Sequence, residues 1–307
     1  MKLKYHDNYT ITEIGVEEQF VYDIEVEDNH NFFANDILVH NSLYFTLEDV
    51  VNRLIPKEKD QTKIIDFMDR FTDEVILPII SEGYDKLKTK LNAYEQRMFM
   101  NREALALTGV FAERKRYMLS VLDNEGVRYK EPKIKITGLE AVRSSTAEVI
   151  RKKLKELYRI ILLEDNESAI NFIGEFRKEF MQKPIEEISF PRSVNDIEKW
   201  QVGKDQYKSG TPKQVKAAIL YNSLIDKHDL GSKYPKITSG SKLKYLDLKT
   251  RNPTGEMVIG FIDSLPLEFE LHKYIDKEAV FEGMFMKPAR AVLDIVGWVD
   301  EETNTLF

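Results

Sequence analysis

The chain has 307 residues, 42% hydrophobic and 32% charged, enough for two or three modest domains with cores of their own. It contains no cysteine, which excludes a disulfide framework, a thiolate metal site and a thiol nucleophile. No apolar run nears the ~20 residues of a bilayer span, and the first residues, MKLKYHDNYT, lack the apolar core of a secretory signal. No membrane partner is expected, and a cytoplasmic location is.

The net charge of −7 is unevenly placed. In residues 1–41 two lysines, Lys2 and Lys4, face nine carboxylates, a net of −7, while residues 42–307 hold 43 basic and 43 acidic groups that cancel. A partner of opposite sign or a solvated acidic face would each account for this.

In chain order, Tyr9–Thr12 and Glu13–Val16 read as two short strands with a turn at Gly15. Val21–Val26 alternates as a strand, with Val21, Asp23 and Glu25 on one face. Asp28-Asn29-His30-Asn31 is turn chemistry, and Ile37-Leu38-Val39 is a short apolar strand. Forty-one residues of short β elements bury too little surface to be stable alone, so this piece needs the rest of the chain or another polypeptide.

Leu43-Tyr44-Phe45 continues as a strand. Thr46 is placed to cap a short helix over 47–54, stopped by Pro56. Residues 62–91 carry helical periodicity, with a kink expected at Pro78. A strand is predicted over 97–107, and a hairpin over 115–121 and 127–129 around Asp123-Asn124-Glu125-Gly126. Ser145-Thr146-Ala147-Glu148 fits a capping box opening a helix to about Leu163. Asn166–Met181 is a second helix, striped by Ile170, Phe172, Ile173, Phe176 and Phe180. Thr211-Pro212-Lys213-Gln214 fits another capping box, for a helix to about Asp226. A strand at 258–261 and a helix at 289–295 complete the reading, an α+β arrangement.

Before and after Ser42 the chain reads like two different proteins. Asparagine can attack its own backbone carbonyl with its side-chain amide, forming a succinimide and breaking the next peptide bond. A preceding histidine can act as general acid for that step. A following serine hydroxyl can accept an acyl group. His40-Asn41-Ser42 has these parts in order. The wider stretch VYDIEVEDNHNFFANDILVHNS resembles the C-terminal splicing motifs of inteins.

The resemblance implies that Asn41 cyclises, His40 assists it, Ser42 is the downstream nucleophile, and His30 and Asp23 handle protons. Only 40 residues precede Asn41, and the first-residue nucleophile and N-terminal half of an intein are not among them. The stretch is therefore similar to the C-terminal piece of a split intein, a short all-β segment completed into a Hint-type fold by a partner. Many split inteins pair an acidic N-piece with a basic C-piece; this acidic piece predicts the reverse.

Residues 42–307 resemble the C-terminal part of the family B DNA polymerases of T-even-like bacteriophages. Five stretches carry the match in order: Ser42-Leu43-Tyr44-Phe45; Met98 through Ala104; Arg114-Lys115-Arg116-Tyr117; Glu131 through Glu140; and Ser144-Ser145-Thr146. The resemblance implies that Glu103 lies near the catalytic metals and that Arg114, Lys115, Arg116 and Tyr117 hold the primer strand. As residues, the latter place three cations and an aromatic on a strand, suited to phosphates or to a solvated basic turn. As a residue, a single acid such as Glu103 on an apolar strand is more often a salt-bridge partner for a neighbour such as Arg102. Arg151, Lys152, Lys153 and Lys155 suit either duplex DNA or a solvated helix face.

The expected organisation is a split-intein piece (1–41), the C-terminal part of a palm (42–139), then a largely helical thumb and tail (140–307). The partners implied are an N-terminal polymerase–intein chain, primer–template DNA, dNTPs and a sliding clamp reached through the tail Thr305-Leu306-Phe307. The family's two-metal chemistry implies Mg2+ in the assembled enzyme, held mainly by aspartates that would precede Ser42 on the other chain; splicing needs no cofactor. Alone, this chain is expected to have no polymerase activity. The competing reading is a splicing-defective, non-covalently assembled subunit that grips DNA.

Overall fold

A computed structural model describes the backbone of Tyr22–Glu25, Asn31–Ala34 and Ile37–His40, together with residues 46–203 and 206–298. The expected strands at 9–16, the His30 loop, Asn41, Ser42, the strand at 43–45 and the tail at 305–307 lie outside the described residues. The chain divides into two compact units, residues 1–108 with 121–132 and residues 109–120 with 133–307.

In the first unit, β1 (Tyr22–Glu25) and β3 (Ile37–His40) fall where alternation places strands, and β2 (Asn31–Ala34) pairs antiparallel with β3, setting Asn31 opposite His40. Helix α1 (Glu48–Leu54) is preceded by Leu47 with no side-chain cap, so Thr46 does not cap it. Asp60 caps α2 (Gln61–Phe71) by accepting the Thr62 amide at 2.9 Å.

The expected kink at Pro78 takes a definite form: a π turn over Thr72–Ile76, followed by α3 (Leu77–Lys90). Proline has no N–H, and its ring crowds the carbonyl four residues back, here that of Glu74; widening one turn relieves both. The Leu77 amide accordingly donates to Thr72, five residues back. Leu47, Val51, Ile65, Met68, Leu105 and Leu122 form the core of this unit.

Strands β4 (Asn101–Glu113), β5 (Arg116–Asn124) and β6 (Val127–Thr137) lie side by side in one sheet of order β1-β4-β5-β6. β4 begins at Asn101, later than expected, and runs on to Glu113. The predicted hairpin is present: Glu125 and Gly126 turn with φ of +52° and +84°, the left-handed pair of a tight two-residue turn.

The second unit contains α4 (Glu148–Leu163), α5 (Asn166–Gln182), β7 (Phe190–Ser193), the one-turn α6 (Ile197–Trp200), α7 (Lys213–Lys227), β8 (Lys242–Asp247), β9 (Val258–Phe261), α8 (Lys277–Phe281) and α9 (Lys287–Leu293). β7, β8 and β9 form an antiparallel sheet in that order, so the helices of 140–307 are joined by a sheet of their own. Helix α7 lies close on β9. A Cβ at Gly260 would stand 3.1 Å from the Ala217 carbonyl, so a larger residue there would push the helix away.

The α5 stripe is buried as predicted through Ile173, Phe176 and Phe180. Phe176 meets Phe285 at 4.8 Å and Phe180 meets Phe281 at 5.1 Å between ring centroids. A second π turn, Glu282–Met286, again stands two residues before a proline, Pro288.

Neither capping box forms. α4 begins at Glu148 behind Ala147, and α7 at Lys213 behind Pro212, both without a side-chain cap. The Thr211 hydroxyl is diverted to the Lys208 carbonyl at 2.7 Å. Among the described residues no helix is long and apolar enough to cross a membrane.

Candidate nucleic-acid interface

The basic–aromatic segment is not all strand, contrary to the sequence reading. Arg114 and Lys115 are the two turn residues between β4 and β5, both exposed, and Lys115 takes the left-handed conformation at φ +61°. A two-residue connection between right-twisted strands favours that geometry over a continued strand. The turn is held from behind by Gly138, at φ +65°, where a Cβ would lie 2.1 Å from the Lys115 carbonyl oxygen. Only glycine satisfies both the backbone angle and this approach.

Arg116 and Tyr117, the first residues of β5, point to a different use. The Arg116 Nη2 donates to both carboxylate oxygens of Glu140 at 3.0 Å, and its Nη1 to Glu113 at 3.2 Å. Burial works against its charge, but Glu140 and Glu113 outweigh that and hold its pKa above the ordinary value. Arg143 adds its Nε to the Gly138 carbonyl at 3.1 Å. Tyr117 is buried, its ring 5.6 Å from Phe111. Of the four residues, two present charge to solvent and two build the support beneath.

Behind this support Tyr158 is fully buried with its hydroxyl unpaired. Burial first, and the Glu140 carboxylate second, push its phenol pKa well up, so it stays neutral. The Glu140 anchor was not singled out in the sequence. Its signal was the run Thr137-Gly138-Leu139-Glu140, where an obligatory glycine is followed by an acid two residues on.

Glu103 belongs to the first unit. The register of β1 on β4 shifts between Asp23, opposite Ala104, and Ile24, opposite Arg102, so Glu103 occupies the bulge. Its carbonyl accepts the Glu125 amide at 2.7 Å. Bulges commonly re-aim a side chain.

The neighbouring Arg102 turns to Asp69 and Asp123, each at 2.7 Å. Arg128 extends the network to Asp66 at 2.5 Å, Asp69 at 3.3 Å and Asp123 at 3.6 Å. Asp123 is fully buried, and its Oδ1 also accepts the Gly126 amide at 2.9 Å. These carboxylates are engaged by arginines. Among the described residues no group of three or more His, Asp or Glu is placed to hold a metal ion. Glu103 alone does not make a divalent-cation site.

Of the remaining sequence-derived candidates, Asp23 and His40 are placed by backbone on β1 and at the end of β3. His30, Asn41 and Ser42 lie outside the described residues. Of the helix cations, Lys152 pairs with Glu148 at 2.8 Å, and Lys153 with Glu156 at 3.2 Å and Glu179 at 3.3 Å.

The β4–β5 turn thus presents two exposed cations on a hairpin braced by Gly138 and Glu140. The chain is homologous to the C-terminal portion of family B DNA polymerases of phages and archaea. It is 33% identical over 281 residues to the DNA-directed DNA polymerase of Escherichia phage RB69, which covers 87% of this chain and 31% of that protein. The DNA-directed DNA polymerase of Enterobacteria phage T4 is 29% identical over 280 residues, covering 87% and 30%. The DNA polymerase of Thermococcus aggregans is 27% identical over 305 residues, covering 98% and 14%.

The chain thus spans about a third or less of the length of these relatives. The archaeal alignment leaves only about 2% of 307 residues, roughly six, uncovered, so it takes in most of residues 1–41. No protein-family model matches the chain.

Proposed function

We propose that the chain is the precursor of one part of a split DNA-directed DNA polymerase. Residues 42–307 supply the end of the palm and the thumb, and residues 1–41 are the C-terminal piece of a split intein. The observation that carries the polymerase reading is the similarity to phage polymerases over 87% of the chain. The braced turn at Arg114–Lys115 agrees with it, offering two exposed cations to a primer strand.

The splicing reading is carried by the residues from Val21 to Ser42. The acidic piece pairs with a basic N-terminal intein piece, through an attraction that weakens with salt. The upstream polymerase segment moves to the Ser42 hydroxyl by transesterification. Asn41 then cyclises, its side-chain nitrogen attacking its own carbonyl while the Ser42 amine leaves, with His40 as proton donor. The acyl group shifts from the Ser42 oxygen to that amine, leaving a peptide bond. Asp23 and His30 move protons in these steps.

The joined enzyme takes primer–template DNA and dNTPs, with Mg2+ held chiefly by residues of the upstream segment and Glu103 close by. The tail at 305–307 is the candidate contact for a sliding clamp, and the host cytoplasm the site of action.

Primer extension tests the reading. This chain alone should extend no primer, and mixing it with the N-terminal polymerase–intein chain should produce extension that requires both. Extension by this chain alone, or none by the ligated product, would contradict it.

A further inference from the structure

The helix built from the π turn at 72–76 and α3 carries more apolar surface than its own unit covers. The run Val75-Ile76-Leu77-Pro78-Ile79-Ile80 is apolar throughout, yet none of its six residues is fully buried. Thr72 and Tyr84, both buried, mark the side turned to the core, with Ile76 and Ile80 half-buried between them. Beside that line Val75, Ile79, Gly83, Leu87 and Leu91 recur at intervals of four, which on a helix makes one ridge. Leu87 is half-buried, but Val75 is 39%, Ile79 64% and Leu91 62% exposed. An apolar ridge of this kind is what one helix offers to the groove of another.

Gly83 is an independent observation. It lies inside α3, where glycine is less stable than alanine. Its φ is not left-handed, and among the described residues no atom comes within 4 Å of where its Cβ would stand. Nothing described in this chain requires a glycine there. A gap in the middle of an apolar ridge lets a second helix bring its backbone close. The charges beside it do not stand in the way: Glu82 and Lys86 pair with each other at 2.7 Å and cancel.

We propose that this ridge docks an apolar helix of the upstream polymerase segment, crossing at Gly83. The occupant rests on the split-polymerase reading above. The phage relatives are about three times as long as the part aligned here, so on that reading most of the enzyme arrives on the other chain. A second copy of this chain suits the ridge poorly, because three exposed side chains and a glycine fall far short of the ~800 Å² per partner of a stable dimer. They suffice for a partner already held nearby by paired intein pieces, since tethering raises its effective concentration. The contact aligns the two polymerase parts before the bond at Ser42 is made. Being apolar, it also persists in salt that weakens the attraction between the intein pieces.

The test uses the full chain carrying Asn41→Ala and Ser42→Ala, so that it cannot be joined. Its dissociation from the N-terminal polymerase–intein chain is followed by biolayer interferometry at low and high salt. Adding Ile79→Glu should speed dissociation about tenfold or more, as loss of one buried aliphatic side chain would. Gly83→Gln should also speed it, by blocking the approach of the second backbone, and both effects should remain at high salt. Unfolding in urea keeps the two roles apart. Gly83→Gln should raise the midpoint of the isolated chain, since glutamine is the better helix former and meets nothing there, and Ile79→Glu should leave it nearly unchanged.

A dimer of this chain alone in sedimentation, abolished by Ile79→Glu, would overturn the choice of occupant. If the unmodified chain does not bind the N-terminal chain at all, the split-polymerase reading itself fails. If it binds and is joined at Ser42, while neither ridge variant changes dissociation at either salt, only the present inference fails.

Discussion

Two turns of the same run of strands make opposite use of charge. At the β4–β5 turn, Arg114 and Lys115 face solvent while Arg116 behind them is tied to Glu140 and Glu113. At the β5–β6 turn the tip is Glu125-Gly126, and the charges beside it turn inward: fully buried Asp123 joins Arg102 and Arg128. The first turn uses an ion pair as a foundation for free cations. The second uses one as internal structure. Arginines of similar sequence setting therefore mean different things, according to whether a carboxylate lies beneath the strand or the strand ends in water.

Substitutions can break this contrast, beginning with the most damaging. Asp123→Ala should cost about 3–5 kcal/mol, because it leaves Arg102 and Arg128 short of a buried counter-charge; urea unfolding measures it. Gly138→Ala should cost about 2 kcal/mol or more through its positive φ and the collision with Lys115, and should also displace the basic turn and weaken duplex binding. Loss of stability with unchanged binding would deny the glycine its role behind the turn. Glu140→Gln should cost about 1–2 kcal/mol by weakening a charge-assisted pair, again read by unfolding. Lys115→Gln should change stability by less than about 0.5 kcal/mol, as exposed surface changes do. It should nonetheless lower the salt slope of duplex binding by about 0.9. Equal stability losses at Lys115 and Asp123 would erase the contrast.

Periodicity made the helices legible: α4 and α5 end within a residue of their predicted limits, and the α5 stripe is the buried face. Turn chemistry gave the hairpin at Glu125-Gly126, since only a left-handed pair fits there. Helix starts were less legible. Ser145, Thr146 and Thr211 have the right side chains for caps, but the chain bends before the helix forms, and Thr211 bonds back to Lys208 instead. The Pro78 kink was visible in sequence, whereas its π-turn form depends on how the backbone relieves the ring.

At the site, the four-residue basic–aromatic run was found as a motif, but its division into two exposed cations and two supporting residues was not. That division depends on Glu140, 24 residues from Arg116, and on Gly138 closing against Lys115. Likewise Arg102 looked like a partner for Glu103, yet Asp69 from α2 and Asp123 from β5 engage it. Long-range carboxylates of this kind leave no local pattern.

The central claim is that the bond between Asn41 and Ser42 is broken and a new one made at Ser42. Intact-mass spectrometry of this chain mixed with its N-terminal partner tests it most directly, with Asn41→Ala and Ser42→Ala alongside. The account predicts one product in which residues 42–307 are joined to the upstream polymerase segment and residues 1–41 are gone. It further predicts no release at Asn41→Ala, and release without joining at Ser42→Ala. Two unjoined chains of unchanged mass would contradict it.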